Sequence, residues 1–269
     1  MNKPELLEKY YKDEDKLLIA KIIDKINFSK TRNKIEHTDF LDMYQRKICE
    51  NVLNAAKANY YVFYGGFENS DKNMLIIYPE KLQTIFQNGN FNYNTIMSAI
   101  KITLPNELKG KYSYKDYLSG LMKIGIKREK FGDILVNDYG AYIIISKTLE
   151  KYIIENLNEL TRFSKSKIEL IDISDIEIPK AKFEQRTITV PAMRLDSIVG
   201  ELANISRTMA NEIIEQERVF VNYENETRKS KEINENDIIV IRGKGKFKIV
   251  KINGITRKGK NSILIEHYL

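Results

Sequence analysis

The chain has a single cysteine, Cys49, among its 269 residues, which excludes an intramolecular disulfide and any metal site built from clustered cysteines. Cys49 lies near the apolar stripe of an expected helix, so a free, buried thiol is predicted rather than a nucleophile. Histidine is nearly as scarce: His37 and His267 stand at opposite ends of the chain without partners at ligand spacing, and no metal is expected. No apolar run approaches the length of a membrane span. The opening Met1-Asn2-Lys3-Pro4-Glu5 runs into mixed charge without the apolar core and cleavage site of a signal peptide, so a soluble, cytoplasmic protein is expected, with no membrane partner. Also missing are Gly-x-Gly-x-x-Gly, a Gly-Lys-Ser/Thr phosphate loop and His-Glu-x-x-His, which argues against a cofactor and against catalytic residues. The adjacent Gly65 and Gly66 read as turn geometry, and neither internal repeats nor low-complexity tracts occur.

One absence is local. Between Ile238 and Ile265 there is no Asp or Glu, whereas Arg242, Lys244, Lys246, Lys248, Lys251, Arg257, Lys258 and Lys260 all fall there. The chain as a whole carries a formal charge of +7, which favours polyanionic partners, and this stretch concentrates the charge in one place. A hydrophobic content of 42% supplies a core of ordinary size, and the length suggests two or three domains.

Periodicity divides the chain into three parts, read as an N-terminal α+β domain (1–85), a middle domain (86–178) and a C-terminal module (187–269). The N-terminal part begins with helical spacing from Lys3 to about Lys30. Asp39-Phe40-Leu41-Asp42 reads as a turn and cap before a helix through Ile48, Val52, Leu53 and Ala56. Tyr60 to Tyr64 and Met74 to Tyr78 are strand-like runs joined by a glycine-containing loop. The middle part reads as strand (Ile96 to Leu104), helix (Tyr114 to Met122), strands (Ile134 to Val136, Tyr142 to Ile145), helix (Leu149 to Leu157), strand (Ile168 to Ile173). That βαββαβ order is the ferredoxin-like, RRM-like arrangement, although no recognisable base-stacking aromatic signature accompanies it. Lys127, Arg128 and Lys130 cluster on a glycine-bounded loop that could grip a phosphate backbone. The polar stretch opening at Pro179 and running to Arg186 reads as a hinge.

In the last part, Leu195, Ile198, Val199 and Leu202 make one apolar helical stripe, and Ala210, Ile213 and Ile214 make a second. Ser206 stands where an N-cap belongs. Arg194 and Arg207 therefore fall at two helix starts, where open backbone amides and the positive dipole end add to the guanidiniums, a receptor suited to phosphates. Asp196, beside Arg194, is expected to orient an arginine rather than touch phosphate. Strands are expected at Arg218 to Asn222, Asp237 to Arg242, Lys246 to Ile252 and Ile263 to Tyr268, giving helices on one side of a twisted antiparallel sheet.

The order Arg194-Leu195-Asp196, Ser206-Arg207, then Arg218-Val219-x-Val221-Asn222 resembles the S4 domain, an RNA-binding module. One departure is Glu217, at a position where that family usually has glycine or a small polar residue. Further matches at Phe40-Leu41-Asp42, Phe63 to Glu68, Ile77-Tyr78-Pro79, Gly125 to Ile134 and Val240 to Phe247 extend the likeness to YlmH-type proteins of Gram-positive bacteria. The resemblance implies a multi-domain α+β fold: an N-terminal α/β domain, an RRM-like middle domain and a C-terminal S4 (αL-like) domain. It further implies binding to the large ribosomal subunit obstructed by peptidyl-tRNA, in ribosome-associated quality control, with 23S rRNA and tRNA as partners and no DNA specificity. RNA-contacting residues would be Arg194, Asp196, Ser206, Arg207, Thr208, Arg218, Arg242, Lys244 and Lys246, joined by Lys127, Arg128 and Lys130. Two other readings stay open, a scaffold at the cell-division site and an accessory to RNA modification. S4-bearing modification enzymes usually carry a catalytic domain after the module, whereas this chain stops at Leu269, so a non-enzyme is expected. Monomer is the default expectation.

Overall fold

The computed structural model describes residues 13–179 and 183–268, and the chain divides into two compact units, 1–179 and 180–269. The early part of the N-terminal helical reading, Lys3 to Lys12, and part of the hinge reading, Lys180 to Lys182, lie outside the described residues.

The first unit opens with helix α1 (Asp13–Arg32), whose buried residues Ile19, Ile22, Ile23 and Ile26 follow helical spacing. Strand β1 (Glu36–Leu41) follows, then helix α2 (Met43–Ala55). The segment read as a turn at Asp39 to Leu41 is thus a strand. Only Asp42 is the cap: its side chain accepts from the Gln45 amide while the Gln45 side chain accepts from the Asp42 amide, a reciprocal capping box. A strand that ends directly on a capping residue leaves no intervening turn signal, and the cap concealed it. Strands β2 (Tyr61–Tyr64) and β3 (Asn73–Ile77) complete an antiparallel sheet in the order β1-β3-β2. A short helix, α3 (Gln83–Gln87), leads on.

Next come β4 (Met97–Thr103), α4 (Tyr114–Lys123), β5 (Phe131–Asn137), β6 (Gly140–Ser146), α5 (Glu150–Glu159) and β7 (Lys167–Ile171). The sheet order β5-β6-β4-β7, all antiparallel, is the ferredoxin-like arrangement expected from the element order. One face of this sheet, with Ile100, Ile102, Ala141, Ile143 and Ile145, packs with Tyr117 and Leu121 of α4 and Ile153 and Leu157 of α5. The opposite face does not lie bare. Met97 and Ile144 on it share a core with Phe40, Met74 and Ile76 of the three-stranded sheet. Strand β6 is therefore covered on both faces, which is why Ile143-Ile144-Ile145 reads as an uninterrupted apolar run. Close approach is needed there: a Cβ on Gly132 would stand 2.9 Å from the Phe40 ring, and one on Gly66 2.8 Å from Ile144. The Gly65-Gly66 pair accordingly serves packing and turn geometry.

The second unit has β8 (Phe183–Val190), whose first half lies in the stretch read as a hinge; Phe183 to Thr187 are all exposed and four of the five are polar, so no alternation marked the strand. Helices α6 (Leu195–Ala203) and α7 (Arg207–Glu215) follow, then β9 (Val219–Val221), β10 (Glu224–Asn225), β11 (Ile238–Ile241), β12 (Gly245–Ile255) and β13 (Asn261–Tyr268). They form an antiparallel sheet in the order β10-β9-β11-β12-β13-β8. Leu195, Ile198, Val199, Leu202, Ala210 and Ile214 pack on one face of it, against Val219, Val221, Ile239, Ile241, Phe247 and Ile249.

Candidate nucleic-acid interface

Helix α6 ends at Asn204 in the left-handed conformation (φ 53°), where Asn204 and Ile205 donate back to Glu201 and Gly200. This tight stop turns the chain into Ser206, which caps α7 by accepting from the Met209 amide at 3.2 Å. Arg194 is the N-cap residue of α6 and Arg207 the first residue of α7, as the spacing required.

The two arginines meet on one carboxylate. Arg194 donates through Nε to Asp196 Oδ1 (3.2 Å) and through Nη2 to Oδ2 (3.0 Å). Arg207 donates through Nε and Nη2 to Oδ2, at 3.0 and 2.7 Å. Asp196 is 2% exposed, whereas the Arg194 and Arg207 side chains remain 43% and 57% exposed. Burial pushes the Asp196 carboxyl up, but hydrogen bonds and charge from Arg207 and Arg194 outweigh it and hold the group below the usual carboxylate range. The acid is a buried clip. It offers almost no surface of its own and fixes two guanidinium planes whose Nη1 groups have no partner among the described residues, leaving the cluster a net charge of +1.

The helix starts differ from the sequence expectation in one respect. At α6 the amides are already used: Leu195 donates to Lys231 O (2.9 Å), Asp196 to Lys229 O (3.1 Å) and Ser197 to the Asp196 carboxylate (2.8 Å). The segment around Lys229 to Glu232 folds over this end, with a bridge between Arg194 and Glu232. Only α7, where Arg207 and Thr208 are exposed, keeps its leading amides open by its own bonding pattern. No local sequence signal marks Lys229 to Lys231 as the cover, because the contact joins positions more than thirty residues apart.

Arg218, Arg242, Lys244 and Lys246 gather at the β11–β12 turn. Arg218 Nη2 donates to Arg242 O at 3.2 Å, Lys244 is exposed, and Lys246 Nζ lies 5.1 Å from the Tyr223 ring centre and 5.3 Å from that of Tyr268. Neither tyrosine stood out in the sequence; only strand register brings them to the lysine. Arg207 opens the nine-residue α7, about 13 Å long, and Arg218 follows its C-terminal stop. Between α7 and β9, Glu217 has φ 57°, with its own amide donating to Ile214 and that of Arg218 to Ile213. The departure from the usual small residue thus falls on a left-handed helix stop.

The three cations of the first unit divide. Lys127 is exposed. Lys130 is held by Asp39 at 2.8 and 3.0 Å, and Arg128 donates to Tyr114 Oη (2.5 Å) with its guanidinium 4.5 Å from the Phe131 ring centre. Lys72 adds a further staple, donating to Arg128 O (2.7 Å) and Phe131 O (3.3 Å). Burial, helped by Arg128, lowers the Lys72 pKa to about 8; burial and neighbouring Asp71 raise that of Asp133, which accepts from the Asp71 amide, to about 6. This loop joins the two sheets of the unit.

Cys49 is buried, and burial pushes its thiol far above the ordinary range. Among the described residues no group of three or more His, Cys, Asp or Glu side chains could hold a metal, and no helix is long and apolar enough to cross a membrane.

Residues 92–176 match a family model described as "Putative RNA-binding domain in YlmH". Over 260 residues the chain is 26% identical to the ribosome-associated protein quality control protein P2 of Bacillus subtilis (strain 168), covering 96% of each chain. A solved structure of the cell division protein ylmH from Streptococcus pneumoniae is 21% identical, with a TM-score of 0.47, covering 62% of this chain and 98% of that one.

Proposed function

We propose that the chain is a YlmH-type protein and a non-catalytic RNA-binding factor that joins the large ribosomal subunit carrying peptidyl-tRNA, contacting 23S rRNA and tRNA backbones in the quality control of stalled translation. The observation that supports this reading best is the pair of half-exposed guanidiniums fixed on the buried Asp196. An arginine already locked to a carboxylate loses little further freedom when a phosphate arrives, and its planar fork matches a phosphate through two parallel donors. The open amides of α7 add further donors beside Arg207, with Ser206 and Thr208 at the same helix start. Arg218, Arg242, Lys244 and Lys246 supply a second contact one helix length away. Such contacts place a protein on A-form RNA by shape and charge, with little reading of bases. Of the three loop cations, Lys127 is the one that could join without leaving a protein partner. In this reading 187–269 is the S4 RNA-binding domain, 86–178 the RRM-like domain and 1–85 the N-terminal domain, acting as a monomer in the cytoplasm.

The test is cosedimentation with large subunits. Arg194→Ala combined with Arg207→Ala is expected to abolish association; because it leaves the Asp196 carboxylate buried without its cations, Asp196→Asn is added to the pair and circular dichroism confirms the fold. Undiminished association would refute the reading; association with division proteins that survives nuclease treatment and the same two substitutions is what the division-site scaffold reading predicts.

A further inference from the structure

The N-terminal sheet covers only part of the outer face of the four-stranded sheet, although Tyr142, beyond that part, is itself buried at 2% exposure. At the Met97 and Ile144 end the face is sealed by the N-terminal sheet; towards the other end the cross-strand row runs Leu135, Tyr142, Lys101, Glu169 and stays outside that core. There the sheet and the β5–β6 turn line an open cavity of about 240 Å³ that includes Lys101, Thr103, Lys109, Tyr139, Tyr142 and Glu177. That volume is below the range of enclosed small-molecule pockets, and suits a single flat group entering from the open side.

Its chemistry is specific. Tyr139 is 64% exposed, second only to Ile255 among the described large hydrophobic side chains. Lys109 Nζ lies 5.0 Å from its ring centre, and Lys101 Nζ 5.7 Å from that of Tyr142. Neither lysine has an ion pair or hydrogen bond among the described residues; Glu169, across the strand from Lys101, is paired instead with Lys167 at 2.7 Å. The turn that presents Tyr139 is fixed: its amide donates to Asn137 Oδ1, its carbonyl accepts from Leu104, and Gly110 donates to Asp138 O. An exposed aromatic ring on a fixed turn, with one unpaired ammonium group beside it and a second lining the same cavity, is suited to stacking a base and holding its phosphate. Glu177, exposed at the rim, opposes an anion and limits the affinity.

We infer that this cavity is a second RNA contact, taking one unpaired nucleotide whose base stacks on Tyr139 and whose phosphate lies between Lys101 and Lys109. It deepens the RNA-binding reading above, since it supposes an RNA partner, yet it uses a different unit and a different form of RNA.

The full-length protein is titrated with a labelled single-stranded oligoribonucleotide and, separately, with a labelled RNA duplex, following fluorescence anisotropy. Tyr139→Ala is expected to weaken single-strand binding about tenfold, the scale of one lost base stack, with Tyr139→Phe near wild type and duplex binding unchanged. Lys101→Gln with Lys109→Gln weakens the single-strand complex and reduces its salt dependence, and Glu177→Gln strengthens it. Single-strand affinity that is unchanged in both Tyr139→Ala and the double lysine variant overturns the inference. Arg194→Ala with Arg207→Ala separates the two claims: lost duplex binding with intact Tyr139 dependence supports both, and intact duplex binding with intact Tyr139 dependence removes only the helix-pair reading.

Discussion

Asp196→Asn separates orientation from charge at the helix pair. The substitution raises the net charge of the cluster from +1 to +2, so on charge alone RNA should bind more tightly. A unit charge acts on a phosphate 4 Å away with about 1 kcal/mol in water, and the buried carboxylate stands farther off behind the guanidiniums, so the gain is on the order of 0.5 kcal/mol. Against it stands lost order. Asn offers one acceptor where four arginine contacts between 2.7 and 3.2 Å now converge, and its amide nitrogen repels a guanidinium. Each freed arginine must then be immobilised on binding, at about 0.5–1.5 kcal/mol, or about 1–3 kcal/mol for the pair. The expected net result is binding about 2- to 70-fold weaker, with a salt dependence at least as steep as before. Anisotropy titrations against duplex RNA over a range of KCl read both quantities. Tighter binding by Asp196→Asn would refute the orienting role of Asp196. The same cluster predicts an acid response. Because the folded pKa of Asp196 is held below its unfolded value, its contribution to stability is present above the unfolded pKa and lost as pH falls through the folded one, a loss the Asn variant lacks.

Glu217→Gly should stabilise the second unit: a left-handed non-glycine residue is strained by about 1–2 kcal/mol, partly offset by the greater entropy glycine brings to the unfolded chain, leaving about 0.5–1 kcal/mol. A melting temperature a few degrees higher checks it, and a lower one contradicts the strain argument. Cys49 should resist thiol reagents in the native protein and react fully in denaturant; rapid native labelling would show that its burial is transient. Asp133, with a folded pKa raised to about 6 from 3.8, binds more protons folded than unfolded between those values, so stability falls as pH rises through that window. Asp133→Asn, which keeps an acceptor for the Asp71 amide, should flatten that part of the profile in denaturant titrations, and an unaltered profile would locate the dependence elsewhere.

What the amino-acid order settled by itself is local or periodic. The stripes Leu195, Ile198, Val199, Leu202 and Ala210, Ile213, Ile214 placed Arg194 and Arg207 at helix starts, and Ser206 capped as expected, because a helix start is decided by residues within one turn. The βαββαβ order was legible for the same reason, as alternation and helical spacing extend over whole elements. Strands β1 and β8 were missed: one runs straight into a capping residue, and the other owes its place to pairing with β13, more than seventy residues away.

Tertiary structure decided what each charge does. In the sequence Lys130, Arg128 and Lys127 look equivalent, but Asp39, Tyr114 and Phe131 engage the first two and leave the third exposed. Likewise, Lys229 and Lys231 carbonyls close one helix start while the other stays open, and an N-terminal sheet covers part of a face beside which the β5–β6 turn presents Tyr139. A side chain's environment is set by what packs on it from distant segments, and Coulomb and desolvation energies depend on those neighbours far more than on residue type.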